Sequence, residues 1–300
     1  MQTNPLHPIF AAELLGADLS VAPDAALIEA VEAAMAQYAV VVVRGQTHIG
    51  DDEHIRFSRA FGPLELPPSL GFKSDGQKRR FRSELYDASN LDKNGEIEAA
   101  DALKRKYSKG NEFFHTDSSF NRLPTKWSLL LGYEVTKSRG ETEFVDTRAA
   151  YDSLPEEMKQ RIENMTVEHN VWRSRERAAF TEIQSLKDSL PAVQQPLVRI
   201  SASGRKALYI GSHADHIIGM PIEEGRALLD ELVERATRPE FIYAHRWQKG
   251  DLVIWDNRCT MHRATMFDYL TERRDLRRTT INESGEERSA NAPEAVAAAA

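Results

Sequence analysis

Apolar positions early in the chain switch between a helical and a strand period. At positions 25–37, Leu27, Ile28, Val31 and Met35 recur at helical spacing and predict an amphipathic helix. It runs into 38–44, a β-branched apolar stretch of strand length closed by Gly45. Helical period returns at 51–61 and stops at Gly62-Pro63. Positions 67–110 are then polar, with basic clusters at 78–82 and 104–109 and strand pieces around 81–86. A loop of that length in a compact protein is usually functional or disordered. Short strands are predicted at 127–135, 143–146, 167–172, 197–201, 207–210, 240–244, 252–255 and 276–281. The clearest helix is 222–237, with Leu228, Leu229, Leu232 and Val233 on one face. Many short strands with few long helices predict a mainly β protein, a sandwich or barrel with helices packed outside.

Composition narrows the class only slightly. The chain has 300 residues, 41% hydrophobic and 28% charged, as an ordinary globular protein does. Its 39 basic and 46 acidic residues give a net charge of −7, which argues against coating DNA or an anionic membrane. The basic clusters are poor in interleaved aromatics, so no nucleic-acid groove is expected and a solvated face is the expected role. The single cysteine, Cys259, excludes an intrachain disulfide and fits a reducing compartment. The longest apolar runs, 38–43 and 295–300, fall short of the roughly 18 residues of a membrane span. The start lacks a basic region followed by an apolar core, so a cytoplasmic protein is expected. No GxGxxG or Walker pattern supports a Rossmann enzyme or a kinase.

Nine histidines are present, and surface or capping roles are expected for His7, His48, His54 and His169. The segment Phe113-Phe114-His115-Thr116-Asp117 differs. On an extended segment, His115 and Asp117 project to one side, as two metal ligands would. His262 follows the strand and turn of Gly250 to Arg258. Two histidines and one carboxylate on one face of a metal form the triad of non-haem Fe(II) oxygenases, with the opposite face open. Cys259 and His262 also make a CxxH pair, but a zinc site would need further ligands and the chain has no second cysteine. In RRDLRRTT, strand alternation puts Arg274 and Arg278 on one face and Arg273 and Arg277 on the other. Either pair facing inward would need anionic partners, and an inward arginine is a bidentate clamp for a carboxylate. His213 and His216 in GSHADH are spaced to form a second metal site if helical; otherwise they are turn or pocket residues.

With these segments in view, HTDSSF, GETEFVDTRAAYDSLP, WDNRCTMHRAT and RRDLRRTT resemble the 2-oxoglutarate-dependent dioxygenases of the taurine and 2,4-dichlorophenoxyacetate dioxygenase family. The likeness runs from NPLHPIFAAEL to RRTTI. GRKALYIGSHADHIIGMPIEEGRALL and HRWQKGDLVIWDNRC place it nearer the 2,4-dichlorophenoxyacetate branch. The resemblance implies a double-stranded β-helix (a jelly roll) forming one domain over 1–282, with a lid at about 67–110 and a disordered tail at 283–300. It implies that His115, Asp117 and His262 bind Fe(II). Thr142 and Arg274 would hold 2-oxoglutarate, with Arg278 close to both bound acids and on the substrate carboxylate. Lys73, Asn111, His213 and His216 are implied as substrate-pocket residues, while Arg273 and Arg277 face away. O2 is the further co-substrate.

The expected reaction is hydroxylation of the carbon α to the carboxylate of an aryloxyalkanoate such as 2,4-dichlorophenoxyacetate. It would release a phenol and glyoxylate, with succinate and CO2. The partner is thus a small anionic aromatic substrate, with no nucleic acid and no membrane, and a homo-oligomer is the expected assembly. Two rivals stand beside this reading. One is the same chemistry on another small carboxylate or sulfonate, since variable loops set specificity. The other is a metal-binding β barrel without turnover.

Overall fold

The computed structural model describes residues 1–66, 80–180 and 190–284. Lys73, the N-terminal part of the expected lid and nearly all of the expected tail lie outside them. The N-terminal part comprises β1 (Gln2–Pro5), β2 (Ala12–Leu15), α1 (Ala25–Tyr38), β3 (Val40–Val43) and α2 (Asp51–Arg59). Next come β4 (Tyr86–Asp87), α3 (Leu103–Ser108), a 3-10 turn (Lys109–Glu112), β5 (Thr125–Glu134) and β6 (Thr142–Asp146). The middle holds α4 (Thr147–Asp152), α5 (Glu156–Ile162), β7 (Thr166–His169), α6 (Val171–Arg177), β8 (Val193–Pro196), β9 (Val198–Ile200) and β10 (Lys206–Leu208). The chain closes with β11 (Ala214–Ile217), α7 (Ile222–Ala236), β12 (Ile242–His245), β13 (Leu252–Asp256), β14 (Thr260–Ala264) and β15 (Asp275–Asn282). No helix among the described residues is long and apolar enough to cross a membrane.

Seven strands form the large sheet in the order β1-β2-β3-β13-β5-β15-β4, antiparallel except for β2 beside β3. A three-stranded sheet, β12-β6-β14, lies opposite. Side-chain alternation explains why two sheets and outer helices are needed. On β5, β13 and β15, Leu129, Leu131, Leu252, Ile254 and Ile281 pack against α1 and α2. Their neighbours Leu130, Val253, Trp255 and Leu276 turn to the other face and meet Phe144 and Tyr243 of the small sheet. The small sheet's reverse face, with Val145 and Met261, packs on α4, α5 and α7. The central strands β5 and β13 thus bury both faces, and the two sheets make the double-stranded β-helix that the sequence resemblance implied.

Local chemistry accounts for the boundaries. Asp24 caps α1 by accepting from the Leu27 amide at 2.8 Å. Ala39, at φ +59°, ends that helix, so the strand begins at Val40 and not at Tyr38. The strand expected at 167–172 stops at His169, because Asn170 accepts from the Trp172 amide at 2.9 Å and starts α6. Of the strand expected around 81–86, only Tyr86 with Asp87 joins a sheet.

The histidines depart most from expectation. His7 and His48 are not buried, whereas His54 and His169 are fully buried. His54 sits within 3.2 Å of the Leu129 carbonyl and the Thr279 hydroxyl. Burial pushes His54 down to about 4 and His169 to about 3. Between those values and the ordinary imidazole pKa, the unfolded chain binds protons that the folded chain refuses. Their stabilising effect is therefore complete above that ordinary value and is lost as pH falls. Each site should cost roughly 2 kcal/mol of stability between pH 7 and pH 5. Denaturant unfolding of His54→Gln and His169→Leu at both pH values should show a decline shallower than the parent's by that amount.

Candidate active site

The site is built on a one-residue extension of the small sheet. His115 pairs with His262 of β14 as an isolated antiparallel bridge, with amide-to-carbonyl distances of 3.0 and 2.8 Å. Paired residues in an antiparallel ladder project to one face, and here the two imidazole rings lie 4.3 Å apart. The chain can approach this closely because residue 211 is glycine, at φ +126°. A Cβ there would lie 3.0 Å from the His115 Cα and the Phe114 carbonyl oxygen. Two residues on, Asp117 enters a turn in which Ser118 takes φ +54°. Glu65, 3% exposed, holds that turn by accepting from the Ser118 hydroxyl at 2.8 and 3.0 Å and from the Asn121 amide at 2.6 Å. Its own backbone N–H donates to Thr280 of β15. Burial pushes the Glu65 carboxyl up, against the effect of the Ser118 hydrogen bonds.

The carboxylate of Asp117 then faces both histidines, 3.8 Å from His115 Nε2 and 3.7 Å from His262 Nε2. The three donor atoms lie within 4.8 Å of one another. His115 Nδ1 is 2.9 Å from the Phe113 carbonyl oxygen, which fixes the proton there and leaves the Nε2 lone pair free. Burial lowers both imidazoles, so they stand neutral, the form that binds a metal. Burial alone would raise Asp117, but the Arg278 charge and the Ser128 hydrogen bond hold it well below the carboxylate range. Ser128 donates to Asp117 Oδ2 at 2.8 Å and in turn accepts from Asn257 at 3.0 Å. Two neutral nitrogens and one anionic oxygen on one face fit a divalent metal with open positions.

Cys259 takes no part. It packs with Ala39 and Ala207, so the CxxH spacing carries no site. His213 and His216 do not meet either. His213 packs against His115 at 5.3 Å between ring centroids, with Nδ1 3.1 Å from the Thr116 carbonyl oxygen. His216 belongs with Glu168 and Asp215, and neither His213 nor His216 lines the cavity as a substrate-pocket residue would. That cluster's Asp215 is already paired with Arg226 at 2.6 Å and Arg173 at 3.4 Å.

A cavity of about 490 Å3 opens onto His115 and His262 and is also lined by Thr142, Asn111, Arg274 and Arg278. The Thr142 hydroxyl accepts from Trp247 Nε1 at 3.0 Å, which leaves its own proton for an acceptor in the cavity. Arg274 is 8% exposed and among the described residues pairs with no carboxylate. Its nearest partner is the Ala88 carbonyl at 3.4 Å, and burial pushes its pKa down to about 10. A guanidinium so placed favours an anion strongly. Arg278 donates to Asp117 Oδ1 and lies over the Tyr86 ring at 4.7 Å. Arg273 and Arg277 face away, onto Glu134 and onto Asp51 with Asp275.

Other lining groups were not singled out from sequence. The second basic cluster is not a solvated face, since Lys104, Arg105 and Lys109 line the cavity. So do Met266, Phe267 and Tyr269, from the segment before Arg274. Asn90 ties that segment down, donating to the carbonyls of Tyr269 at 2.9 Å and Glu272 at 2.8 Å and accepting from the Arg274 amide at 2.9 Å. Among the described residues, five cations and three carboxylates line the cavity, an excess that suits anionic ligands. Trp247 and Asn90 carry no spacing signal that sequence reading could use, because both act through hydrogen bonds to residues far away in the chain.

Comparison with known proteins agrees with this architecture. The profile of the "Taurine catabolism dioxygenase TauD, TfdA family" matches residues 2–280. The chain is 43% identical over 281 residues to the alpha-ketoglutarate-dependent 2,4-dichlorophenoxyacetate dioxygenase of Cupriavidus pinatubonensis (strain JMP 134 / LMG 1197), covering 92% of this chain and 96% of that one. It is 34% identical to the (S)-phenoxypropionate/alpha-ketoglutarate-dioxygenase of Sphingobium herbicidovorans, covering 90% and 91%. Among solved structures, AAD-2 in complex with Mn(II) and N-oxalylglycine superposes with a TM-score of 0.90 at 39% identity, covering 96% of this chain and 99% of that one. With residues 2–280 and most of its length accounted for in this way, the chain belongs to the TauD/TfdA family of dioxygenases.

Proposed function

We propose that this Fe(II)- and 2-oxoglutarate-dependent dioxygenase hydroxylates the α-carbon of an aryloxyalkanoate such as 2,4-dichlorophenoxyacetate. The observation that carries the reading is the cavity itself. It joins a trio suited to a metal to a buried guanidinium without a carboxylate partner among the described residues, a surplus of cations, and an aromatic wall of Tyr86, Phe267 and Tyr269. The identity to 2,4-dichlorophenoxyacetate dioxygenases supports the substrate class.

His115, Asp117 and His262 hold the metal. When bound, Fe(II) with 2-oxoglutarate supplies the oxidising chemistry, using O2 and releasing succinate and CO2. Arg274 and the Thr142 hydroxyl take the far carboxylate of 2-oxoglutarate and fix its orientation. Arg278 and Asn111 face the substrate carboxylate, and the aromatic wall takes the aryl ring and excludes water. The products follow from the substrate's chemistry. A hydroxyl on the carbon between an ether oxygen and a carboxylate is a hemiacetal, which collapses to a phenol and glyoxylate.

Three outcomes are expected. His115→Ala and Asp117→Ala should each abolish Mn(II) binding, read by the loss of free-Mn(II) depletion in electron paramagnetic resonance; a variant that still binds tightly is not a ligand variant. Arg274→Met should weaken 2-oxoglutarate by about 30-fold or more, since a desolvated charge pair is worth at least 2 kcal/mol, while leaving Mn(II) affinity intact. Fe(II)-loaded protein given 2-oxoglutarate, air and 2,4-dichlorophenoxyacetate should release phenol and succinate one to one. Good taurine turnover without phenol release would overturn the substrate class, and neither product would favour a binding protein.

A further inference from the structure

Behind His115 lies a cation that the reaction does not explain. Arg175, on α6, is 4% exposed and pairs with no carboxylate among the described residues. Its guanidinium lies over the Tyr107 ring at 4.1 Å, and Nη1 donates to the Ser174 hydroxyl at 2.9 Å. Nη2 donates to Asn111 Oδ1 at 3.1 Å. The backbone before Asn111 is shaped around this group. A Cβ on Gly110 would stand 2.0 Å from Arg175 Nη1, so any other residue there would displace the guanidinium.

The chemistry of that one contact settles which way the Asn111 side chain faces. A guanidinium has donors only, so it fixes the amide oxygen toward Arg175 and the NH2 group away from it. Asn111 lines the cavity, and its NH2 makes no hydrogen bond among the described residues. An isolated asparagine could present either end to a ligand, whereas this one presents a donor. Burying a charge without a counter-ion is costly, and a role for Arg175 at the cavity accounts for its retention.

We propose that Arg175 is a positioning residue that locks the Asn111 amide as a hydrogen-bond donor aimed at an oxygen of the bound substrate. This rests on the aryloxyalkanoate reading and assigns the residue that sets the polarity of the pocket at one point. Among the described residues Arg175 makes no contact with the metal ligands' donor atoms and acts on His115 only through its charge, so metal affinity should change far less than KM.

The test is a double-mutant cycle on the full-length protein with Arg175→Met, Asn111→Ala and the pair, measuring KM and kcat for 2,4-dichlorophenoxyacetate, Mn(II) affinity and Tm. Each single variant should raise KM by about 10- to 100-fold, the worth of a hydrogen bond to a charged partner, with kcat and Mn(II) affinity changed far less. The pair should be no worse than Asn111→Ala alone, because Arg175 acts through Asn111. Additive losses in KM would overturn the proposal. Asn111→Asp keeps the Arg175 contact and turns an acceptor to the cavity, so it should raise KM at least as much as Asn111→Ala. An unchanged KM in that variant overturns the proposal even where Arg175→Met fails to fold. A parent protein that turns over no aryloxyacetate instead refutes the substrate reading.

Discussion

Two backbone hydrogen bonds between His115 and His262 fix the geometry on which the rest of the site depends. They place two side chains on one face at the spacing of a strand ladder, before any metal is considered. The third member of the trio, Asp117, comes from the turn just beyond His115. That turn needs Ser118 in a left-handed conformation, and Glu65 supplies the buried acceptor that keeps it there. Glu65 is in turn fastened to β15 through the Thr280 carbonyl. The trio is therefore held by two sheets at once, and its preorganisation comes from the fold.

The second organising constraint is charge. Protein interiors seldom hold an arginine without an acid, yet Arg274 and Arg175 are both such groups among the described residues. One opens onto the cavity; the other stands one side chain behind it. Asp117 is the anion that the arrangement does supply, held ionised by Arg278 on one oxygen and by Ser128 on the other. The site thus carries an excess of positive charge, with the Asp117 carboxylate set between the two imidazoles.

Much of this was legible in the chain. Helical and strand periods located α1, β3, α7, β13 and β15, because those elements bury one face or two in regular register. The HxD spacing and the arginine alternation were readable for the same reason: two-residue periodicity is a property of the backbone. What escaped was fixed by tertiary contact. Nothing in local sequence says that His54 and His169 are fully enclosed, that Asn170 ends a strand by capping a helix, or that Lys104 and Arg105 turn inward. The missed partners, Trp247, Asn90, Glu65 and Arg175, reach the site through hydrogen bonds to residues distant in the chain.

The two stretches that frame the cavity differ in how freely their length can change. Along β15, sliding the chain by one residue would exchange Arg278 for its neighbours and turn the chemistry toward α2. The segment carrying Met266, Phe267 and Tyr269 is outside any ladder and is tied down at its exit by Asn90. Insertions there would remodel the aromatic wall while the Asn90 tie and the β15 ladder keep Arg274 and Arg278 in place. The architecture separates a part that must keep count from a part that need not, so new substrates can be acquired by drift in the loop without relearning the oxidation.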